Sequence, residues 1–122
     1  MHLNILSVDD SVTIAEHLKR LLNNIKCVTL TAHAFTIPEA MALMETERPD
    51  VVILDIALKD ENGMEFLAYL KKKHTNVKVI MLSNQADLFY KNKSKELGAE
   101  YFLDKSYEFD RIPEILSKLQ SG

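Results

Sequence analysis

The sequence predicts an α/β fold built on a doubly wound parallel sheet, and three observations carry that prediction. Short apolar runs alternate with amphipathic segments from one end of the chain to the other, which is the pattern of successive β–α units. The run Val51–Leu54 is apolar at every position, as a strand covered on both faces should be. Four of the runs end in side chains able to handle phosphate or metal. Leu3–Val8 leads into Asp9-Asp10, Val51–Leu54 into Asp55, Val77–Leu82 into Ser83, and Tyr101–Leu103 reaches Lys105 with one residue between. Open parallel sheets bind ligands beyond the carboxyl ends of their strands, so these groups are candidates for one shared site.

Taken in order, Leu3–Val8 is the first strand. Ser11–Asn24 follows as a helix, with Ile14, Leu18, Leu21 and Leu22 at helical spacing and Asp10 or Ser11 placed to cap it. Cys27–Ala32 alternates and is rich in β-branched residues, which favours a second strand. Ile37–Glu47 puts Ala40, Met41 and Met44 on one helical face, and Pro38 falls in the first turn, where proline is tolerated. Pro49-Asp50 breaks the chain before Val51–Leu54. Gly63 is expected in the loop that follows that strand. Met64, Phe66, Leu67 and Leu70 then mark a third helix ending in Lys71-Lys72-Lys73. Those lysines suit a helix C-terminus and are expected to be solvated.

Val77–Leu82 is the fourth strand, and Ala86–Leu97 the fourth helix, with Gly98 as its stop. Tyr101–Leu103 is the fifth strand. Phe109, Ile112, Ile115, Leu116 and Leu119 make a last helix. Right-handed crossovers favour the flavodoxin-like strand order 2-1-3-4-5. In that order Asp9, Asp10 and Asp55 converge from neighbouring strands, and Ser83 and Lys105 come from the next two. The second strand lies at the far edge, ends in His33-Ala34, and offers nothing obvious to the site.

Composition narrows the function classes. The 122 residues suit one domain, 1–122, with no output domain expected. Apolar residues make up 47% and charged residues 27%, the balance of a soluble globular protein. A net charge of −3 leaves no basic footprint for nucleic acid. The N-terminus lacks the basic and apolar regions of a signal peptide, and no apolar stretch approaches membrane length, so a cytoplasmic protein is expected. The single cysteine, Cys27, rules out an internal disulfide and is expected to be a buried strand thiol. His2, His17, His33 and His74 lack metal-ligand spacing, and none is read as catalytic.

Three carboxylates held together repel one another, so either one is protonated or a cation neutralises them. Hard oxygen donors favour Mg²⁺ or Mn²⁺, and Mg²⁺ needs only one or two carboxylates besides water and phosphate oxygens. An aspartate can also attack phosphorus to give an acyl phosphate. A cation such as Lys105 and a hydroxyl such as Ser83 would then stabilise the phosphoryl oxygens. Singly, each residue has an ordinary explanation: a helix cap, a turn aspartate, a strand-end serine, a solvated lysine. Their meeting on adjacent strands is what points to chemistry.

On these residues, with Gly63 eight positions after Asp55 and Gly98-Ala99 before the last strand, the chain resembles the receiver domain of two-component response regulators. The resemblance spans essentially the whole chain. It implies Asp55 as phosphoacceptor, Asp10 as a direct ligand of Mg²⁺ or Mn²⁺, Asp9 acting on the metal through water, and the backbone carbonyl of Ala57 as a further ligand. It implies Lys105 and Ser83 as phosphoryl-stabilising groups, with Ser83 and Phe102 as the switch pair. Lys91, Lys93 and Lys95 fall where receivers meet partners. The implied donor is a sensor histidine kinase or a histidine phosphotransfer protein. The implied output is a stand-alone receiver, monomeric or dimeric on phosphorylation, that switches a partner-binding surface on helix 4, strand 5 and helix 5. A phosphorelay intermediate or phosphate sink is the second reading. Such a protein is a signalling phosphoacceptor and not an enzyme. A metal-dependent phosphatase would usually carry an acid/base aspartate two residues after its nucleophile, where this chain has Ala57.

Departures from the family's pattern fall at five positions. Lys59 stands where proline is usual, and Asn84 replaces a small residue after the switch hydroxyl. Ala57 and Gln85 occupy positions that tune phosphoryl lifetime. Ser106 follows Lys105 where proline is usual, in a bond that is typically cis. A cis bond to a non-proline residue costs ~2.5–4 kcal/mol, which leaves open a trans bond with a shifted loop.

Overall fold

The computed structural model describes residues 2–58, 61–84 and 88–121. Among the described residues are seven strands and five helices. They are β1 (Leu3–Val8), α1 (Val12–Asn23), β2 (Val28–Ala34), α2 (Ile37–Glu47), β3 (Val51–Leu54), β4 (Ala57–Leu58), β5 (Glu61–Asn62), α3 (Gly63–Lys73), β6 (Lys78–Ser83), α4 (Leu88–Glu96), β7 (Tyr101–Asp104) and α5 (Ile112–Ser121). A 3₁₀ turn over Phe109–Arg111 leads into α5. Five strands form one parallel sheet in the order β2-β1-β3-β6-β7. This is the expected 2-1-3-4-5 order once the two-residue strands β4 and β5 are set aside. Those two pair with each other as a small antiparallel hairpin.

Side-chain alternation along the strands feeds two cores. Leu6, Val8, Val52, Leu54, Val79 and Met81 face α2, α3 and α4, meeting Ala40, Met44, Phe66, Leu67 and Leu70. Leu3, Ile5, Val51, Ile53, Ile80, Leu82 and Leu103 face α1 and α5, meeting Leu18, Leu22, Ile112, Ile115 and Leu116. Because β3 and β6 are covered on both sides, every residue of Val51–Leu54 is buried. Polar signals set the helix starts: the side chains of Ser11, Thr36 and Asn62 accept the backbone N–H groups of Ile14, Glu39 and Met64. Gly98 adopts φ 102° after α4, the left-handed geometry of a helix stop.

The structure corrects several sequence expectations. Cys27 is exposed, with φ 63°, and lies just before β2. Its carbonyl accepts the N–H of Leu3 and the Gln120 side chain, so the chain turns there and the thiol faces outward. Lys71 is not a solvated end. Its ammonium sits 2.8 Å from a carboxylate oxygen of Glu100 and 2.9 Å from the carbonyl of Val77, tying the end of α3 to the start of β7. Lys72 and Lys73 are exposed as expected. Gly63 opens α3 instead of lying in the loop before it. The Lys105–Ser106 bond is trans, since no described peptide bond is cis. Lys59, Gln85 and the predicted start of the fourth helix at Ala86 lie outside the described residues.

Candidate functional site

Parallel register brings the strand ends together. Val8 pairs with Leu54, Leu54 with Met81, and Ser83 with Asp104. The next residues, Asp9-Asp10 and Asp55, therefore leave the same edge of the sheet, where Ser83 ends β6 and Lys105 follows β7. They line one cleft of about 600 Å³ together with Ser11, Thr13, Ile14, Ala57 and Asn84.

Asp9 is buried and held at every polar atom. Its N–H donates to the carbonyl of Ala34 at 3.0 Å, and its Oδ1 accepts the N–H of Ser11 at 2.9 Å. Its Oδ2 lies 2.6 Å from the Lys105 ammonium, close as an ion pair although not aligned as a hydrogen bond. Its carbonyl accepts Nε2–H of His33 at 2.8 Å. A carbonyl can only accept, so that nitrogen carries the proton and Nδ1 accepts from the buried hydroxyl of Ser7. Burial lowers the pKa of His33, partly offset by its contacts with Asp9, so the ring is held neutral. The edge strand thus braces the end of β1 through His33, a contribution not obvious from the sequence. The lone histidine carried no motif; only the β1–β2 register, which pairs Ser7 with His33, reveals it.

Asp55 is also buried, and its N–H donates to the carbonyl of Val8 at 3.0 Å. One oxygen lies 3.4 Å from the N–H of Ala57 and the other 3.2 Å from the Lys105 ammonium. Burial raises its pKa to about 6; Lys105 works against that rise and Asp9 adds to it. For Lys105 burial acts downward, yet the contacts with Asp9 and Asp55 outweigh it and leave the ammonium more basic than usual. Asp10, by contrast, is solvent-exposed on the cleft rim.

One oxygen from each of Asp9, Asp10 and Asp55 lies within 4.8 Å of the others. Three carboxylates this close form a hard donor set that fits Mg²⁺ or Mn²⁺. Lys105 already neutralises part of that charge. Its reach to both buried carboxylates across a trans Lys105–Ser106 bond answers the question the missing proline raised. Ser83 is fully buried at the floor of the cleft. Phe102 is half-buried, packs on the core beneath α4, and lines a separate cavity of about 390 Å³ with Leu88, Lys91, Lys95 and Tyr101. Thr13 and Ile14 also line the cleft, although the sequence marks Ile14 only as a helix-core residue and Thr13 not at all. They enter because α1 starts directly after Asp9-Asp10.

A carboxylate triad, a lysine and a buried serine thus meet at the carboxyl edge of a (βα)5 sheet. The chain belongs to the response regulator receiver domain family, which matches residues 5–117. It is 32% identical over 118 residues to sporulation initiation phosphotransferase F of Bacillus subtilis, covering 97% of this chain and 94% of that protein. It is 30% identical over 116 residues to chemotaxis protein CheY of Listeria monocytogenes, covering 95% and 97%. It is 31% identical over 115 residues to transcriptional regulatory protein MalR of Bacillus subtilis, covering 94% of this chain and 49% of that one. The chain thus spans about half the length of MalR and of the LytT sensory transduction proteins it also matches. Among solved structures, the response regulator domain of Thermotoga maritima CheB superposes with a TM-score of 0.83 at 26% identity, over 99% of this chain and 96% of that one. No helix among the described residues is long and apolar enough to cross a membrane.

Proposed function

We propose that this receiver accepts a phosphoryl group on Asp55, with Mg²⁺ or Mn²⁺ held by Asp10, Asp55, the carbonyl of Ala57 and, through water, Asp9. The observation that carries the reading is Lys105, whose single ammonium reaches both Asp9 and Asp55 inside a cleft that also exposes Asp10. A carboxylate oxygen of Asp55 attacks the phosphorus of a phosphohistidine on a kinase or phosphotransfer protein. The P–N bond breaks, the imidazole leaves with a proton, and an acyl phosphate remains. When bound, the metal supplies positive charge to the phosphoryl oxygens. Lys105 offers an ammonium to another oxygen, and the Ser83 hydroxyl donates to a third. Similarity to a sporulation phosphotransferase and a chemotaxis protein, each spanned almost end to end, supports a donor of that kind.

The same bonds are the switch. Drawing Ser83 towards the phosphoryl group frees space for Phe102, which borders the α4–β7 cavity. Lys91, Lys93 and Lys95 are exposed on α4 beside it, so a change there alters a partner-binding surface. In this reading the receiver signals by engaging a partner through that surface. Passing the group along a relay is the second reading, favoured by the phosphotransferase relative.

The test is intact mass after incubation with acetyl phosphate, with and without Mg²⁺, for wild type and Asp55→Asn. A metal-dependent gain of one phosphoryl group, absent from the variant, is expected. An equal gain in Asp55→Asn would contradict the assignment, and catalytic turnover of added phosphate esters would favour a phosphatase.

A further inference from the structure

The loop that carries Lys105 has no proline to stiffen it, and the Ser106 side chain reaches across only through a 3.5 Å contact of its hydroxyl with Asn84 Oδ1. Ser106 is exposed, and Tyr107 is 90% exposed. Yet the lysine ammonium arrives at 2.6 Å and 3.2 Å from two buried carboxylates. A flexible side chain on an unrestrained loop would not hold such a geometry, because ordering free backbone costs conformational entropy.

The restraint comes from the residue just before the lysine. Asp104 closes β7 opposite Ser83. Its Oδ1 accepts the N–H of Ser106 at 2.7 Å and that of Tyr107 at 3.3 Å. Its carbonyl accepts the N–H of Glu108 at 2.8 Å. Its own N–H donates to Glu108 Oε1 at 3.0 Å. Backbone N–H, backbone C=O and side chain of one residue all bind the turn that follows, and the exchange with Glu108 resembles the reciprocal bonds of a capping box. Glu108 is anchored in turn: its Oε2 accepts Arg111 Nη1–H at 2.8 Å, and Arg111 Nε–H donates to Glu114 at 3.0 Å in the first turn of α5. From the other side, the N–H of Lys105 donates to the carbonyl of Ser83 at 3.0 Å. The Lys105 backbone is therefore fixed between β6 and the start of α5.

We propose that Asp104, braced by Glu108, is a positioning residue that aims Lys105 at the phosphoryl group; this rests on the phosphoacceptor reading above. Asp104 lines neither the cleft nor the carboxylate cluster, so its loss should loosen Lys105 and leave the metal site intact. Beryllofluoride, a mimic of the phosphoryl group, separates the two effects because it engages the lysine as well as the metal. Titrations of Mg²⁺ alone, and of beryllofluoride in saturating Mg²⁺, are compared for wild type, Asp104→Ala, Asp104→Asn, Lys105→Ala and the Asp104→Ala/Lys105→Ala double variant.

Asp104→Ala should bind beryllofluoride roughly tenfold more weakly, the scale of one hydrogen bond to a charged group. Its Mg²⁺ affinity should be unchanged or higher, since the ammonium competes with the metal for the same carboxylates. Asp104→Asn keeps an oxygen acceptor and should stay within about twofold of wild type. The double variant should lose no more than Lys105→Ala alone. Wild-type beryllofluoride affinity in Asp104→Ala overturns the inference, as does parallel weakening of both ligands, which would mean a merely structural role. If Asp104→Ala does not fold, Glu108→Ala replaces it: a smaller loss in the same direction supports the inference, and none overturns it. Wild type that binds no beryllofluoride would sink the phosphoacceptor reading itself, whereas binding by wild type and by Asp104→Ala alike sinks only the role of Asp104.

Discussion

At the scale of single residues the site is a balance between burial and charge. Asp55 is withdrawn from water beside another carboxylate, and one lysine serves both. Its folded pKa, about 6, stands above the 3.8 of a free aspartate. A carboxyl raised in this way stabilises the fold below pH 3.8 relative to neutral pH, and that contribution is lost as pH rises through about 6. Asp55→Asn removes the ionisation. The variant should therefore be more stable than wild type at pH 7 without added metal, and the difference should vanish below about pH 4. Denaturant midpoints across that range check this; a variant less stable at pH 7 would show that the Lys105 contact outweighs burial. The three aspartates, Ser83 and Lys105 were legible in the sequence because each follows an apolar run. His33 and Asp104 were not, because a side chain that braces a backbone carries no spacing of its own. Its role depends on strand register or turn geometry.

At the scale of elements, the start of α3 lies tightly against the backbone that follows β3. A Cβ on Gly63 would lie 2.0 Å from the carbonyl oxygen of Asp55 and 2.9 Å from Cα of Ile56. Both are backbone atoms that cannot swing aside, and the Gly63 N–H donates to the carbonyl of Ile56 at 2.8 Å. Gly63→Ala should destabilise the protein by at least ~2 kcal/mol and slow phosphorylation, because relief of the clash displaces the backbone of Asp55. An unchanged urea midpoint would contradict this. The long elements were legible from period and punctuation: Val51–Leu54 and Ile37–Glu47 begin and end where the sequence places them. The β4–β5 hairpin was not, since two-residue strands give no period. Cys27 misled because its β-rich surroundings, Val28–Leu30, hide a left-handed residue one position before the strand starts. The role of Lys71 was hidden in a lysine run, although only its ammonium meets Glu100 across 29 residues of sequence.

At the scale of the whole molecule, two cores clamp the central strands, and at the carboxyl edge of the sheet five polar side chains from four strand ends meet. Asp9, Asp55 and Ser83 are buried at that edge, while Leu88 and Phe89 at the start of α4 are exposed. Topology was readable because right-handed crossovers leave few ways to arrange five β–α units. The most direct measurement locates the phosphoryl group itself. After phosphorylation with acetyl phosphate and Mg²⁺, borohydride reduces an aspartyl acyl phosphate to homoserine, and peptide mass mapping finds the converted residue. The account predicts homoserine at position 55 alone, and none without Mg²⁺. Conversion at Asp9 or Asp10, or none at all in protein that binds Mg²⁺, would contradict it.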